Sequence, residues 1–176
     1  MGQARALFIW WFNTIIIALL GWFMWKSGVA VRIYNGDISH LTQVIALLLL
    51  VSNFWLGWIT WGHMRFVNSL KGLNHENFTP RKQWSSITEL MNKIDVLWYI
   101  SDTFLALGIL GSVIGTSYLF SNIGGLTGDV SSILQKLGSP LGTLLFTTGS
   151  GVASGIILKT QLVIFQFITG LYPQDA

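Results

Sequence analysis

Seven hydroxyl side chains stand at helical spacing within two uncharged stretches: Ser112 and Thr116 in residues 104–123, and Thr143, Thr147, Thr148, Ser150 and Ser154 in residues 141–158. Their oxygens can replace part of a cation's hydration shell, and a bare ion in hydrocarbon otherwise carries a large desolvation cost. On a helix, Thr143, Thr147, Ser150, Gly151 and Ser154 follow at three- and four-residue steps and share one stripe, which Thr148 and Gly155 widen. Gly108, Gly111, Ser112, Gly115 and Thr116 form a second such face. Glycine lets a neighbouring backbone approach closely, so both faces serve equally well for helix packing. Two roles follow. Ser112, Thr116, Thr143, Thr147, Thr148 and Ser150 are the candidate ion pathway, and Gly108, Gly111, Gly115, Gly151 and Gly155 are the candidate packing residues.

The elements that must position these faces are membrane spans. At about 1.5 Å rise per residue, each stretch covers most or all of a ~30 Å hydrocarbon core. Residues 7–25 form another span, apolar except for Asn13 and Thr14. It is longer than the roughly 7–15-residue apolar core of a cleaved signal peptide, and Trp22 and Trp25 are its interfacial anchors. Residues 41–62 form the fourth, ending in Trp55, Trp58 and Trp61, an aromatic belt. Residues 26–40, with Gly28, Asn35, Gly36 and Asp37, read as a polar turn, and residues 121–140 as a Gly- and Ser-rich connection. After Thr79-Pro80, a helix start, Trp84, Ile87, Leu90, Met91, Ile94, Leu97 and Trp98 recur at helical spacing, and a capping box at Ser86 and Glu89 is an alternative start. The expected fold is all-α: a polytopic membrane protein of four transmembrane helices with a short amphipathic cytoplasmic helix.

Composition agrees with that class. The 176 residues are 52% hydrophobic and only 10% charged, against roughly 25% charged in a soluble domain. The net charge of +3 belongs to topology and not to nucleic-acid binding. Seven basic residues (Arg5, Arg65, Lys71, Arg81, Lys82, Lys93 and Lys159) fall on one side and three (Lys26, Arg32 and Lys136) on the other, which places both termini in the cytoplasm. With no cysteine there is no disulfide or thiolate nucleophile, and His40, His63 and His75 lie in no cluster of metal-ligand spacing. No cofactor, metal or enzymatic activity is expected.

The motif Leu107-Gly108-Ile109-Leu110-Gly111-Ser112-Val113-Ile114-Gly115, followed in the last span by Leu144-Leu145-Phe146-Thr147-Thr148-Gly149-Ser150-Gly151, resembles the MotA/TolQ/ExbB family of ion-channel subunits. The resemblance covers about a third of the chain. It implies that Ser112 matches a pore-lining hydroxyl, that Thr148 matches the Thr of the last helix, and that the adjacent pair Thr147-Thr148 is most like the sodium-driven flagellar stators. Thr143 stands where ExbB- and TolQ-like members usually carry Glu, and Leu105 where they often have Pro. The resemblance further implies a ring, a homopentamer in a bacterial inner membrane, enclosing partner helices. The domains are then residues 1–62, a hairpin of two peripheral spans; 63–103, a short cytoplasmic segment; and 104–176, a pore-lining pair with a cytoplasmic tail.

No Asp, Glu, His, Lys or Arg lies within residues 7–25, 41–62, 104–123 or 141–158, so the chain has no proton-relay group at membrane depth. The expected partners are membrane lipid, further copies of the chain, and a single-span subunit carrying a membrane Asp or Glu. Asp102, near the membrane boundary, reads either as an ion-pathway group or as a solvated helix-end carboxylate. A non-conducting scaffold or holin-like protein, in which the Gly/Ser/Thr faces only pack helices, is the second reading.

Overall fold

The computed structural model describes residues 2–71, 80–123 and 130–169. The chain runs through α1 (Gly2–Lys26), α2 (Val29–Gly36), α3 (Leu41–Lys71), α4 (Pro80–Ile123) and α5 (Val130–Thr169), with no strand among the described residues. Thr79, His75, Asp129, Gly128 and the tail from Gly170 lie outside the described residues, as does the Ser86 side chain. Among the described residues four helices are long and apolar enough to cross a membrane, over Leu7–Lys26, Leu41–Arg65, Ile87–Ser121 and Leu137–Thr169. This is a multi-pass, all-helical membrane protein.

Helix length exceeds what a bilayer needs. The 44 residues of α4 extend about 66 Å and the 40 of α5 about 60 Å, twice a ~30 Å core. The amphipathic stretch from Trp84 to Trp98 is the first part of α4 and rises directly into the span. The apolar tail beyond Lys159 likewise continues α5 to Thr169.

Two connections differ from expectation. Residues 26–40 are not simply a turn, because they contain α2, whose Ala30, Ile33 and Tyr34 face the space between α3 and α5. No residue of α2 is buried; a helix too short to persist alone is held at its end by Thr143, whose hydroxyl bonds Gly36 O and the Ile38 amide. Gly28, at φ 72°, supplies the left-handed residue that lets the chain leave α1 and re-enter a helix at once. Residues 121–140 are not a long connection either, since α5 begins at Val130 and takes Pro140 into its interior. Pro140 is fully buried, its carbonyl packed on Gly115 of α4, and its ring removes one helical hydrogen bond.

The core lies where α3, α4 and α5 meet. Ile45, Leu56 and Ile59 of α3, Ile94, Leu97 and Phe104 of α4, and Leu158, Leu162 and Phe165 of α5 are buried together. In lipid, burying such side chains against one another gains little hydrophobic energy, so close packing and interhelical hydrogen bonds decide the arrangement. α1 packs on the outside. Its Trp10 indole lies directly against Gly57 and donates from Nε1 to the Asn53 carbonyl at 3.0 Å, and the Thr14 hydroxyl donates to Asn53 Oδ1 at 3.0 Å. Trp55, Trp58 and Trp61 point outward from α3.

Candidate functional site

The most extensive contact in the molecule is the antiparallel seam between α4 and α5. Its glycines set the separation. A Cβ on Gly151 would stand 2.5 Å from the Phe104 carbonyl oxygen, and one on Gly115 would stand 2.8 Å from the Leu144 nitrogen. At Gly108 it would meet Thr147 O at 3.1 Å, and at Gly155 Ser101 O at 3.1 Å. Backbone therefore faces backbone along four turns, the close approach that small residues permit in membranes. Gly138, in contrast, has open space where its side chain would be.

The hydroxyls do not form one lining. Thr147 is fully buried, fills the space over Gly111, and donates to Thr143 O at 2.6 Å. Thr148 and Ser112 share a hydroxyl–hydroxyl hydrogen bond across the seam; whichever donates there, the other is left to donate within its own helix, Thr148 to Leu144 O at 2.7 Å or Ser112 to Gly108 O at 3.0 Å. Thr116 donates to Ser112 O at 2.8 Å, one turn further along. Thr143 turns away from α4. Its hydroxyl donates to Gly36 O at 3.1 Å and accepts from the Ile38 amide at 2.8 Å, tying the loop after α2 to α5. Ser150 and Ser154 line the space under α2 and beside α3. Rotation about α5 thus divides among three neighbours a stripe that sequence spacing places on one face.

One ion pair marks position along the helices. Lys159 Nζ lies 2.7 Å from Asp102 Oδ1 and 5.9 Å from the Trp98 ring, with both charged side chains substantially exposed. Ser112 is about 15 Å along α4 from Asp102, and Thr148 about 16 Å along α5 from Lys159, half the thickness of a ~30 Å core. The Ser112–Thr148 contact lies about one turn from the Gly115 end of the glycine seam and roughly 15 Å from the ion pair. It has no ionisable neighbour on either helix within a turn.

Two polar centres escaped sequence reading. Asn53 Nδ2 donates to Gln161 Oε1 at 3.4 Å, joining the middle of α3 to α5 beside the α1 contacts of Asn53. Gln161 Nε2 is buried without a partner next to a space of about 20 Å³ bordered by Asn13 and Thr60, large enough for one water. Asp37, 1% exposed, accepts from the Ser39 amide at 3.0 Å, the Ser39 hydroxyl at 2.7 Å and the Thr42 amide at 2.8 Å, capping α3. Burial pushes its carboxyl up, but the hydrogen bonds from Ser39 and Thr42 together outweigh it and hold it below the ordinary aspartate value. An Asp two residues before a Ser at a helix start was the available signal. Among the described residues no group of His, Cys, Asp or Glu could hold a metal ion.

Comparison with protein-family models, with curated proteins and with solved structures finds no match to this chain.

Proposed function

We propose that the chain is an ion-channel subunit of an ion-motive-force-driven motor or energy-transducing complex, carrying protons or sodium between α4, α5 and a partner's transmembrane helix. The observation that supports it best is the Ser112–Thr148 contact: two hydroxyls meeting half a bilayer from the Asp102–Lys159 pair, on a glycine-lined seam next to the buried Thr147. These are the two positions that the MotA/TolQ/ExbB resemblance assigns to the pore, and the two motifs carry that resemblance.

Hydroxyls ligate a cation but do not neutralise it, so the pathway needs a carboxylate from elsewhere. A single-span partner bringing Asp or Glu to the level of Ser112 and Thr148 meets that need. Several copies of the chain, a pentamer by the resemblance, surround it in a bacterial inner membrane with their termini in the cytoplasm. Loading and release of the ion at the carboxylate then alters which subunit the partner favours, and ion flow becomes rotation.

A specific observation favours the scaffold reading as well. The Thr147, Thr148, Ser150 and Ser112 hydroxyls each lie within hydrogen-bond distance of a carbonyl of their own helix, as hydroxyls do in helices that only pack. Ion flux separates the two. The purified chain in liposomes, with and without the product of a neighbouring single-span gene, is expected to pass protons or sodium only with the partner. Flux by this chain alone, or none with any such partner, rejects the channel reading.

A further inference from the structure

The Trp10 and Thr14 side chains of α1 both bond to Asn53, at the midpoint of the Leu41–Arg65 span. These bonds orient a chain of amides. Asn53 Oδ1 accepts from the Thr14 hydroxyl, so the Asn53 amide nitrogen is the atom turned to Gln161, and it donates to Gln161 Oε1. The Gln161 amide nitrogen is thereby left over. Gln161 is only 5% exposed, and this nitrogen has no hydrogen-bond partner among the described residues.

Gln161 borders a space of about 20 Å³, of which Thr60 of α3 and Asn13 of α1 are the other polar walls. Thr60 is 2% exposed and its hydroxyl donates to Leu56 O at 2.8 Å, so it turns only lone pairs to the space. Asn13, half-buried, brings an amide that can donate or accept. Ile9, Leu56, Ile164 and Phe165 make apolar walls. A metal cation here would face the Gln161 N–H, and an anion would face the Thr60 lone pairs. Water accepts from the first while donating to the second. One water needs about 10–15 Å³ of such space, so the site takes one.

We propose that this space is a binding site for a single water molecule, which accepts from Gln161 Nε2 and donates to Thr60 Oγ1 and Asn13 Oδ1. About three partners is the usual number for a buried water. The site joins α1, α3 and α5 at one point and ties α1 to α5 through a polar bridge, beside the two bonds that α1 makes to Asn53. At membrane depth no bulk solvent replaces a bond left unmade, so the water is held as part of the fold. Asn13, one of two polar residues in an otherwise apolar span, thereby sets the rotation of α1 that closes the site. Nothing in this site depends on ion transport, so it stands or falls separately from the channel reading.

The test uses the full chain in detergent micelles, with glutamine side chains labelled by nitrogen-15 and the Gln161 amide assigned by its loss in Gln161→Met. In rotating-frame spectra that amide is expected to show a cross-relaxation peak to water, opposite in sign to chemical exchange. Asn13→Leu and Thr60→Val are each expected to weaken the peak. Each is also expected to shift the unfolding equilibrium about fivefold towards the unfolded chain, the contribution of one hydrogen bond. The double variant is expected to shift it by clearly less than the product of the two, about twenty-five-fold, because both substitutions act through one water. Absence of the water peak at Gln161 in the parent chain overturns the proposal. So does an Asn13→Leu variant as stable as the parent or more so, the result for a dry space from which an unpartnered amide has been removed. A double variant whose shift equals the product overturns it as well.

Discussion

Thr147 occupies the space in which a side chain on Gly111 would stand: a Cβ there would lie 2.5 Å from both Cβ and Oγ1 of Thr147. Thr147 is itself fully buried and bonded to the backbone one turn back, so it has nowhere to move. The spacing of α4 and α5 therefore depends on the absence of one methyl group.

The first prediction follows from that contact. Gly111→Ala and Gly151→Ala are each expected to destabilise the chain by about 1–3 kcal/mol, the usual cost of overpacking. Gly138→Ala meets open space and replaces a poor helix former, so it is expected to be neutral or to stabilise by up to about 1 kcal/mol. Thermal unfolding in detergent checks all three. Equal behaviour of Gly138→Ala and Gly151→Ala would mean that helix propensity, not the seam, sets the response.

Ser112→Ala and Thr148→Val address the hydroxyls themselves. An interhelical hydrogen bond in a membrane contributes roughly 0.6 kcal/mol on average, so each variant should unfold almost as the parent does. Transport through the assembled complex is expected to fall about tenfold or more, the effect of losing roughly 1.4 kcal/mol of ion stabilisation. Normal flux in a correctly assembled double variant leaves these residues with packing alone.

Asp37 makes stability depend on acid. Because folding lowers its pKa, the bonds from Ser39 and Thr42 contribute in full above the ordinary aspartate value of about 3.9, and that contribution is lost as pH falls toward the folded value. In unfolding midpoints measured from neutral pH down to about 3, the parent chain should lose more stability than Asp37→Asn. Parallel acid slopes would assign the loss to other carboxylates.

Topology has a direct check, since the chain contains no native cysteine. Ser27 is exposed between α1 and α2, and a Ser27→Cys variant is expected to react with an impermeant maleimide added outside the cell. Labelling only from the cytoplasmic side would invert the orientation inferred from Lys and Arg.

What the sequence by itself determined was the part that depends on local composition. Four long apolar runs specify helices because every backbone group in hydrocarbon must be satisfied within its own segment, and the glycines of residues 104–123 lie on one face because the helical period places them there. The tertiary structure decided what depends on rotation and on contacts far apart in sequence. Whether Thr143 faces α4 or the loop after α2 is a matter of turning α5 by part of a turn, and the apolar runs around it are alike on every side. Asn53 and Gln161 are 108 residues apart, and Asp102 meets Lys159 only once the antiparallel register is set. α2 was hidden for a related reason: its eight residues are held at their end by the bonds of Thr143 to Gly36 O and the Ile38 amide, and these partners are more than 100 residues apart and meet only after the long helices have packed.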